Sequence, residues 1–285
     1  MFVAILPLKY KSFFAGLVDS ENFKVNGGQG SDGQVLTSTG SGVAWEDAAG
    51  GASSINDLSD AKTFCTSSIM LGDATTGTIS GANYNVGLGV DVFSSLTSGD
   101  SNVAIGFDAA DTLTTGSFNV AIGTDSLGAA GSGVANNIMI GYNTGSGLTG
   151  DGNVGIGHTA FDAAGDRDDC VAIGNGALTA CSTGSYNIGI GTSALGSATD
   201  AHSNTAIGFL AASALNTGSP YQTRNNVAVG REALENQATQ EDNIAIGYQS
   251  LGTGNSASNS QITAVGSQTA NAAHAAYGGT YVGYT

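Results

Sequence analysis

Large apolar residues alternate with small residues in short segments that recur along most of this chain. Residues 102–106 read Asn-Val-Ala-Ile-Gly, and residues 119–123 repeat them without change. Aligned on the closing glycine, thirteen such segments follow one another, most of them 17 residues apart. Apolar residues at alternate positions predict one short β-strand per segment. The closing glycines are Gly72, Gly89, Gly106, Gly123, Gly141, Gly157, Gly174, Gly191, Gly208, Gly230, Gly247, Gly266 and Gly283.

The large and small positions of these strands predict two different faces. The residue before the closing glycine is Leu, Ile or Val in every copy, and the residue two places earlier is Val, Ile or Thr. The residue between them is Ala or Gly in ten copies. We expect the Val and Ile side chains to form the apolar core, because stacking the coils converts them into one continuous strip. The Ala and Gly face is then expected to pack against neighbouring chains.

A spacing this regular indicates a repeat architecture. The predicted fold is an all-β parallel β-roll or solenoid of about thirteen 17-residue coils over residues 61–285. Between the strands, segments such as Leu-Thr-Thr-Gly-Ser at 113–117 predict turns. Glycine permits positive φ there, and Ser and Thr form hydrogen bonds with the nearby backbone.

Asparagine begins nine of the thirteen copies, as at Asn102 and Asn119. In register, these side chains are expected to form a ladder of amide hydrogen bonds along the solenoid axis. The alternative is a polar binding row. Cys170 occupies the same position in its own copy, so we expect it to pack as a small buried residue.

Residues 1–60 lack the repeat. Residues 34–37 and 43–46 flank a Ser-Thr-Gly-Ser-Gly turn and predict a small hairpin, with Trp45 as its apolar anchor. The small residues at 48–54 predict a flexible joint. We therefore divide the chain into an N-terminal region, 1–60, and a repeat domain, 61–285.

Composition and charge exclude several classes of function. The formal net charge is −16, and only three of the seven basic residues follow residue 62. Nucleic-acid binding requires a basic surface, which this sequence lacks. Glycine is abundant, with 45 residues, but it has no three-residue period, which excludes collagen. No segment approaches the roughly 20 apolar residues of a membrane span, so no membrane insertion is expected.

The sequence indicates no enzyme, no cofactor and no metal site. His158, His202 and His274 fall in different coils without a shared spacing, and the cysteines lack metal-ligand or redox spacing. The carboxylates concentrated at 162–169 are interpreted as solvated loop charge. A cation site, or an acid and base pair as in glycan-cutting tailspikes, is the alternative for that loop. A Cys170–Cys181 disulfide is a further open alternative.

One coil is longer than the others. The segment 209–225 has five extra residues relative to the usual step and includes Tyr221 and Arg224. An extended loop would project from the solenoid, and binding residues concentrate on such loops. Tyr221 and Arg224 are therefore our candidate receptor contacts.

The repeated Asn-Val-Ala-Ile-Gly motif, followed by Ala and Leu as in 174–178 and 191–195, resembles the head repeats of trimeric autotransporter adhesins (YadA-like repeats). Closely similar repeats with Thr-Thr-Gly-Ser turns, as at 114–117, occur in phage tail-fibre proteins. The resemblance covers residues 68–284. It implies a left-handed parallel β-roll with three chains to a head, and hence a homotrimer.

The N-terminal segments favour the phage interpretation. Residues 32–36, 43–46 and 55–60 are similar to short elements of tailed-phage fibres, whereas the signal peptide and membrane-anchor barrel of an adhesin are not recognisable. The expected function is a structural fibre on the virion surface. Residues 1–60 would contact a virion protein, and the repeat domain would bind a host-surface receptor or glycan. The alternatives are a bacterial trimeric surface adhesin head and, less favoured, a glycan-degrading tailspike.

Overall fold

The computed structural model describes residues 34–38, 43–47, 61–64, 67–72, 80–163, 165–215, 223–235, 241–252, 260–271 and 277–284. The chain divides into two compact units, Met1–Asp57 and Leu58–Thr285. Each unit is described separately below.

The first unit contains the predicted hairpin. Strands β1 (Gln34–Ser38) and β2 (Val43–Asp47) pair in antiparallel fashion, with Leu36 opposite Trp45. This confirms the hairpin prediction. The anchoring role predicted for the Trp45 side chain lies outside what the structure describes, as do the joint at 48–54 and residues 1–33.

The second unit is a parallel β-solenoid of about eleven turns. All thirteen predicted strands are present, and each pairs in parallel and in register with the next. The number of turns is lower than the thirteen coils expected. Among the described residues there is no helix. The strands are β4 (Ser68–Leu71), β5 (Val86–Leu88), β6 (Val103–Ile105), β7 (Val120–Ile122), β8 (Ile138–Ile140), β9 (Val154–Ile156), β10 (Val171–Ile173), β11 (Ile188–Ile190), β12 (Thr205–Ile207), β13 (Val227–Val229), β14 (Ile244–Ile246), β15 (Thr263–Val265) and β16 (Thr280–Val282).

One further strand precedes the repeats. Strand β3 (Ala61–Phe64) pairs antiparallel with β4, and Thr63 lies opposite Ile69. It covers the edge of β4 that no preceding coil occupies. The 17-residue pattern gave no indication of this strand, because β3 lies outside the repeat.

The prediction about the two faces of the strands is wrong. In β6 and β7 the small central residues Ala104 and Ala121 are buried in the core of the single chain. The flanking Val and Ile side chains instead point outward and remain partly exposed; Val86 and Leu88 keep 41% and 48% of their surface. The Ala and Gly face therefore cannot be the contact with neighbouring chains.

The reason lies in the turn that follows each strand. It sends large side chains into the same interior, such as Leu113, Leu127 and Phe161, all fully buried. A 17-residue coil encloses too little volume for these side chains and a row of Ile as well, so the inward strand position is Ala or Gly in most coils. Where the large Met139 occupies it, the inward residue of the next strand is Gly155. A Cβ on Gly155 would lie 2.6 Å from the Met139 Sδ atom and 3.1 Å from a ring carbon of Phe161.

The asparagine ladder is confirmed. Asn102 is fully buried, and its Nδ2 donates to Asn85 Oδ1 at 3.0 Å and to the Gly116 carbonyl at 2.9 Å. Its own Oδ1 accepts from the backbone N–H and the Nδ2 of Asn119, at 2.9 and 3.0 Å. Each amide therefore links three consecutive coils and satisfies a turn carbonyl that would otherwise be buried without a partner.

The closing glycines allow the coils to approach closely. Gly123 has φ of +129°, and a Cβ there would lie 2.4 Å from the carbonyl oxygen of Gly141 in the next coil. Both the backbone conformation and the close approach exclude any side chain. The two constraints together account for the glycine in the twelve copies from Gly72 to Gly266, whereas at Gly283 only the positive φ of +134° applies.

Candidate interaction surface

The structure describes one of the two candidate receptor contacts. Tyr221 lies outside the described residues. Arg224 is exposed, and its Nε donates to Glu241 Oε2 in the next coil at 3.0 Å. Its backbone also forms parallel bridges with His202 and Glu241. Arg224 is thus held in the stack by its neighbours, and the two candidate residues are not shown to form one site.

The acidic segment 162–169 is partly engaged in contacts between coils. Asp162 accepts a hydrogen bond from Asn143 Nδ2, and Asp168 Oδ1 accepts from the Asp151 backbone N–H at 2.8 Å. Within the described ranges, no group of three His, Cys, Asp or Glu side chains is placed to hold a metal ion.

Arg167, from the same segment, is fully buried inside the solenoid. Its guanidinium donates to the carbonyls of Phe161, Ala163 and Cys181 and lies 4.8 Å from the centroid of the Phe161 ring. Its Nε is buried without a partner. Desolvation lowers the pKa of Arg167, although the nearby Cys181 and Cys170 oppose that shift. The interpretation of this segment as solvated loop charge did not predict that the Arg167 side chain points into the solenoid.

The two cysteines that the structure describes are free thiols. Cys170 takes the ladder position as predicted: its backbone N–H donates to Asn153 Oδ1 at 3.0 Å, and its Sγ accepts from the Asn187 backbone N–H at 3.3 Å. The Sγ atoms of Cys170 and Cys181 both contact the Gly184 carbonyl. Burial raises the pKa of Cys170 to about 12. Cys65 lies outside the described residues.

His158 and His202, the two histidines that the structure describes, lie in different coils, as the sequence predicts. The His158 ring stacks on Tyr142 with the ring centroids 5.1 Å apart, and His202 Nδ1 accepts from the Ser185 backbone N–H at 3.2 Å. His274 is outside the described residues.

The outer face of the strands is a continuous, partly exposed apolar surface of the second unit. Aliphatic side chains from successive strands lie side by side there, because every strand pairs in register with the next. This aliphatic face is the feature that sequence reasoning assigned to the core. Its most exposed members are Leu71, Val86, Leu88, Ile138, Ile156, Ile188, Ile207, Ile244, Ile246 and Val282.

Two further rows border the aliphatic face, one on each margin. The leading row consists of the residues two places before each of the strands β5 to β15, and it includes Tyr84, Phe118 and Tyr186. These three aromatic residues are 58%, 62% and 61% exposed. All three have positive φ, between 60° and 63°. Bulky residues rarely adopt this conformation, so neither burial nor backbone preference within one chain favours an aromatic side chain at these positions.

The trailing row consists of the residues directly after each closing glycine. Its exposed aromatic residues include Phe107, Tyr142, Phe209 and Tyr248. The guanidinium of Arg231 lies between the last two, 5.6 Å from each ring centroid. Backbone hydrogen bonds keep this row in register; for example, the Phe107 carbonyl accepts from the Asp125 N–H at 2.9 Å.

Carboxylates lie beside the trailing row at the N-terminal end of the solenoid. Asp91, Asp108 and Asp125 occupy equivalent positions in three consecutive coils. Desolvation raises the pKa of Asp108, with added repulsion from Asp91 and Asp125. Arg231, in the trailing row, is paired with Glu232; its Nη2 lies 2.6 Å from Glu232 Oε1. An anionic partner would meet repulsion at this margin.

Comparison with known protein families, with curated proteins and with solved structures finds no match for this chain. In the part of the chain that the structure describes, no helix has the length and apolar character needed to cross a bilayer.

Proposed function

We propose that this chain is one subunit of a homotrimeric structural fibre on the surface of a tailed phage, and that the fibre mediates adhesion to the host. The observation that carries the proposal is the aliphatic face, with its aromatic margins, along the whole solenoid. The number of chains and the phage assignment come from the resemblance of the repeats and of the N-terminal segments to fibre proteins.

The size of the aliphatic face favours an assembly. From the leading row to the trailing row, a strand and its flanks span about 20 Å, and twelve steps between strands span about 58 Å. The surface so bounded is on the order of 1,000 Å². This surface includes polar residues of both margins, such as Asp169 and Asn175, so it is not one apolar patch. Its extent matches the roughly 800 Å² that a stable interface takes from each partner. A second and third copy of the chain are the partners that this face fits.

In this arrangement the three solenoids lie parallel, with their aliphatic faces toward a common axis. The acidic turns then point outward and keep the fibre soluble. Residues 1–60, including the β1–β2 hairpin, attach to a virion protein. The long coil with Tyr221 and Arg224 remains available for a host-surface receptor or glycan. The proposal assigns no catalytic step, cofactor or metal ion to the chain.

Sedimentation velocity of the purified full-length chain tests the assembly. We expect a trimer for the parent protein and a loss of assembly for Ile122→Asp, which places a charge within the aliphatic face. Thr115→Asp is the matched control, because it adds the same charge at an exposed turn position. A folded parent monomer, or equal effects of the two substitutions, would overturn the proposed trimer.

Immunogold electron microscopy of particles tests the location. An antibody against this protein should label fibres on the phage, and an excess of the purified protein should reduce phage adsorption to its host. Labelling of a bacterial outer surface in uninfected cells would instead favour the adhesin alternative. Release of new reducing ends from host polysaccharide would establish the tailspike alternative.

A further inference from the structure

The aromatic residues of the two margins never share a strand. In the leading row they precede β5, β7 and β11, whereas in the trailing row they follow β6, β8, β12, β14 and β16. Where the leading residue is aromatic, the trailing residue of that strand is Val or Thr. Where the trailing residue is aromatic, the leading residue is small, as with Ser101, Asn136 and Ser203.

One gap within the trailing row faces a ring of the leading row. Between Phe107 and Tyr142, the intervening strand presents only Thr124, which leaves space between the two rings. The leading residue of that strand, β7, is Phe118. The row thus has an opening at the level where the opposite margin has an exposed ring.

Two other gaps are closed by the chain itself. His158 stacks on Tyr142, and Arg231 fills the space between Phe209 and Tyr248. On those two strands, β9 and β13, the leading residues are Gly152 and Asn225, which are small. The leading row therefore has no ring at the two levels where the trailing row is filled, and its three rings lie only where the trailing residue is Val90, Thr124 or Thr192. At β10 and β15 neither margin has a ring.

A cyclic assembly explains this complementarity. When parallel chains are related by rotation about an axis along the solenoid, the leading row of one chain meets the trailing row of the next. Rings two strands apart in the trailing row are separated by about 9.6 Å. Phe118, at the level between Phe107 and Tyr142, would lie about 4.8 Å from each ring, within the range of favourable aromatic pairs. Tyr84 and Tyr186 would each have one such ring, Phe107 and Phe209, one strand away. A shift of one strand would instead place Phe118 at the level of Phe107 or Tyr142.

We propose that Tyr84, Phe118 and Tyr186 of one chain pack at the levels of Val90, Thr124 and Thr192 in the trailing row of a second copy and so fix the chains in register. This aromatic register lock rests on the parallel trimer proposed above. It explains why three aromatic side chains occupy exposed positions with positive φ, because contact with the neighbouring chain compensates for the unfavourable backbone conformation.

Cysteine cross-linking tests the register in a Cys65→Ser background, where the remaining native thiols are buried. The first variant carries Phe118→Cys and Thr124→Cys, both at the level of β7. Six residues separate these positions across a strand, about 20 Å, which is too far for a disulfide within one chain. We expect mild oxidation by dissolved oxygen to link the chains covalently. The control, Phe118→Cys with Thr192→Cys, places the thiols four strands apart and should give no linked product.

An exchange of large and small residues tests whether the rings set that register. Thr124→Phe alone places two rings at the level of β7 between neighbouring chains and should raise the trimer dissociation constant by about tenfold or more. Adding Phe118→Thr restores one large residue at that level and should return the constant to within about threefold of the parent value. Circular dichroism checks that the β content is unchanged in both variants.

Sedimentation of the parent protein separates the two proposals. A monomeric parent would overturn the proposed trimer and the lock together. A trimeric parent with no in-register cross-link, or with no recovery in the exchange variant, would overturn the lock alone. Recovery together with the in-register link would establish it.

Discussion

The inner and outer faces of the same strands have different roles. The inner face consists mostly of small, buried residues such as Ala121 and lies beside a hydrogen-bonded asparagine ladder. The outer face consists of Val and Ile side chains that remain partly exposed. The comparison teaches that close packing and satisfied polar groups fold the single chain, whereas the larger apolar side chains are left for contacts between chains.

Placing a methyl group where the coils meet should cause the greatest loss of stability. Gly123→Ala would have a Cβ 2.4 Å from the next carbonyl oxygen at φ of +129°. We expect a loss of about 3 kcal/mol or more in the free energy of unfolding, measured with urea. Gly283→Ala is the control, because φ there is +134° with no atom within 4 Å of the Cβ. Equal losses in the two variants would show that backbone conformation alone, and not the contact between coils, is responsible.

Removing one amide from the inner ladder should have the next largest effect. Asn102→Leu keeps the approximate shape but leaves the Gly116 carbonyl and the Asn119 N–H buried without partners. We expect a loss of about 2–4 kcal/mol in urea unfolding. Thr115→Leu, at an exposed turn position away from the aliphatic face, should change the free energy of unfolding by roughly 0.5 kcal/mol or less. A loss at Asn102 no larger than that at Thr115 would argue against a stabilising ladder.

The buried thiol of Cys170, at the ladder position, should make the free energy of unfolding depend on pH in the alkaline range. Burial raises the pKa of Cys170 to about 12, whereas an unfolded thiol titrates at roughly 8.5. The stabilisation is fully present below the unfolded pKa and is lost as the pH rises toward the folded pKa. Between these values, stability should fall by about 1.4 kcal/mol per pH unit for this thiol. Between pH 8 and 11, the urea midpoint should fall less steeply for Cys170→Asn than for the parent protein. Equal slopes would contradict the conclusion that the Cys170 thiol causes this pH dependence.

The outer face should be the least sensitive to a substitution that keeps the shape. Val120→Thr should change the unfolding free energy of the single chain by about 0.5 kcal/mol or less. Ala121→Thr, one residue along and pointing inward, should cost about 1–3 kcal/mol through overpacking. Thermal unfolding of both variants, measured at the same low protein concentration, tests this difference. A larger effect at Val120 than at Ala121 would reverse the roles of the two faces.

The period of the sequence predicted the strands, their parallel order and the amide ladder. Every strand from β4 to β16 lies where the closing glycines placed it, and Asn102 has the predicted partners. The β1–β2 hairpin was also predictable from its turn residues. These features depend on local pattern and on repetition, both of which can be observed in a single chain.

The orientation of the strands was not predictable by the same reasoning. An alternation of large and small residues is equally compatible with either face inside. The available signal was the apolar residues of the turns, such as Leu113 and Phe161, which compete with the strand residues for one narrow interior. Arg167 was missed for a related reason, because its segment is acidic although its own side chain turns inward to three carbonyls.

The sequence by itself determined that this chain repeats a strand and a turn, and that glycine and asparagine hold each copy against the next. Only the tertiary structure decided that alanine lies inside and isoleucine outside, and that the aromatic margins alternate across one face. The physical reason is that strand period and turn chemistry are local properties. The side of a strand that is buried depends on the volume left by residues elsewhere in the coil.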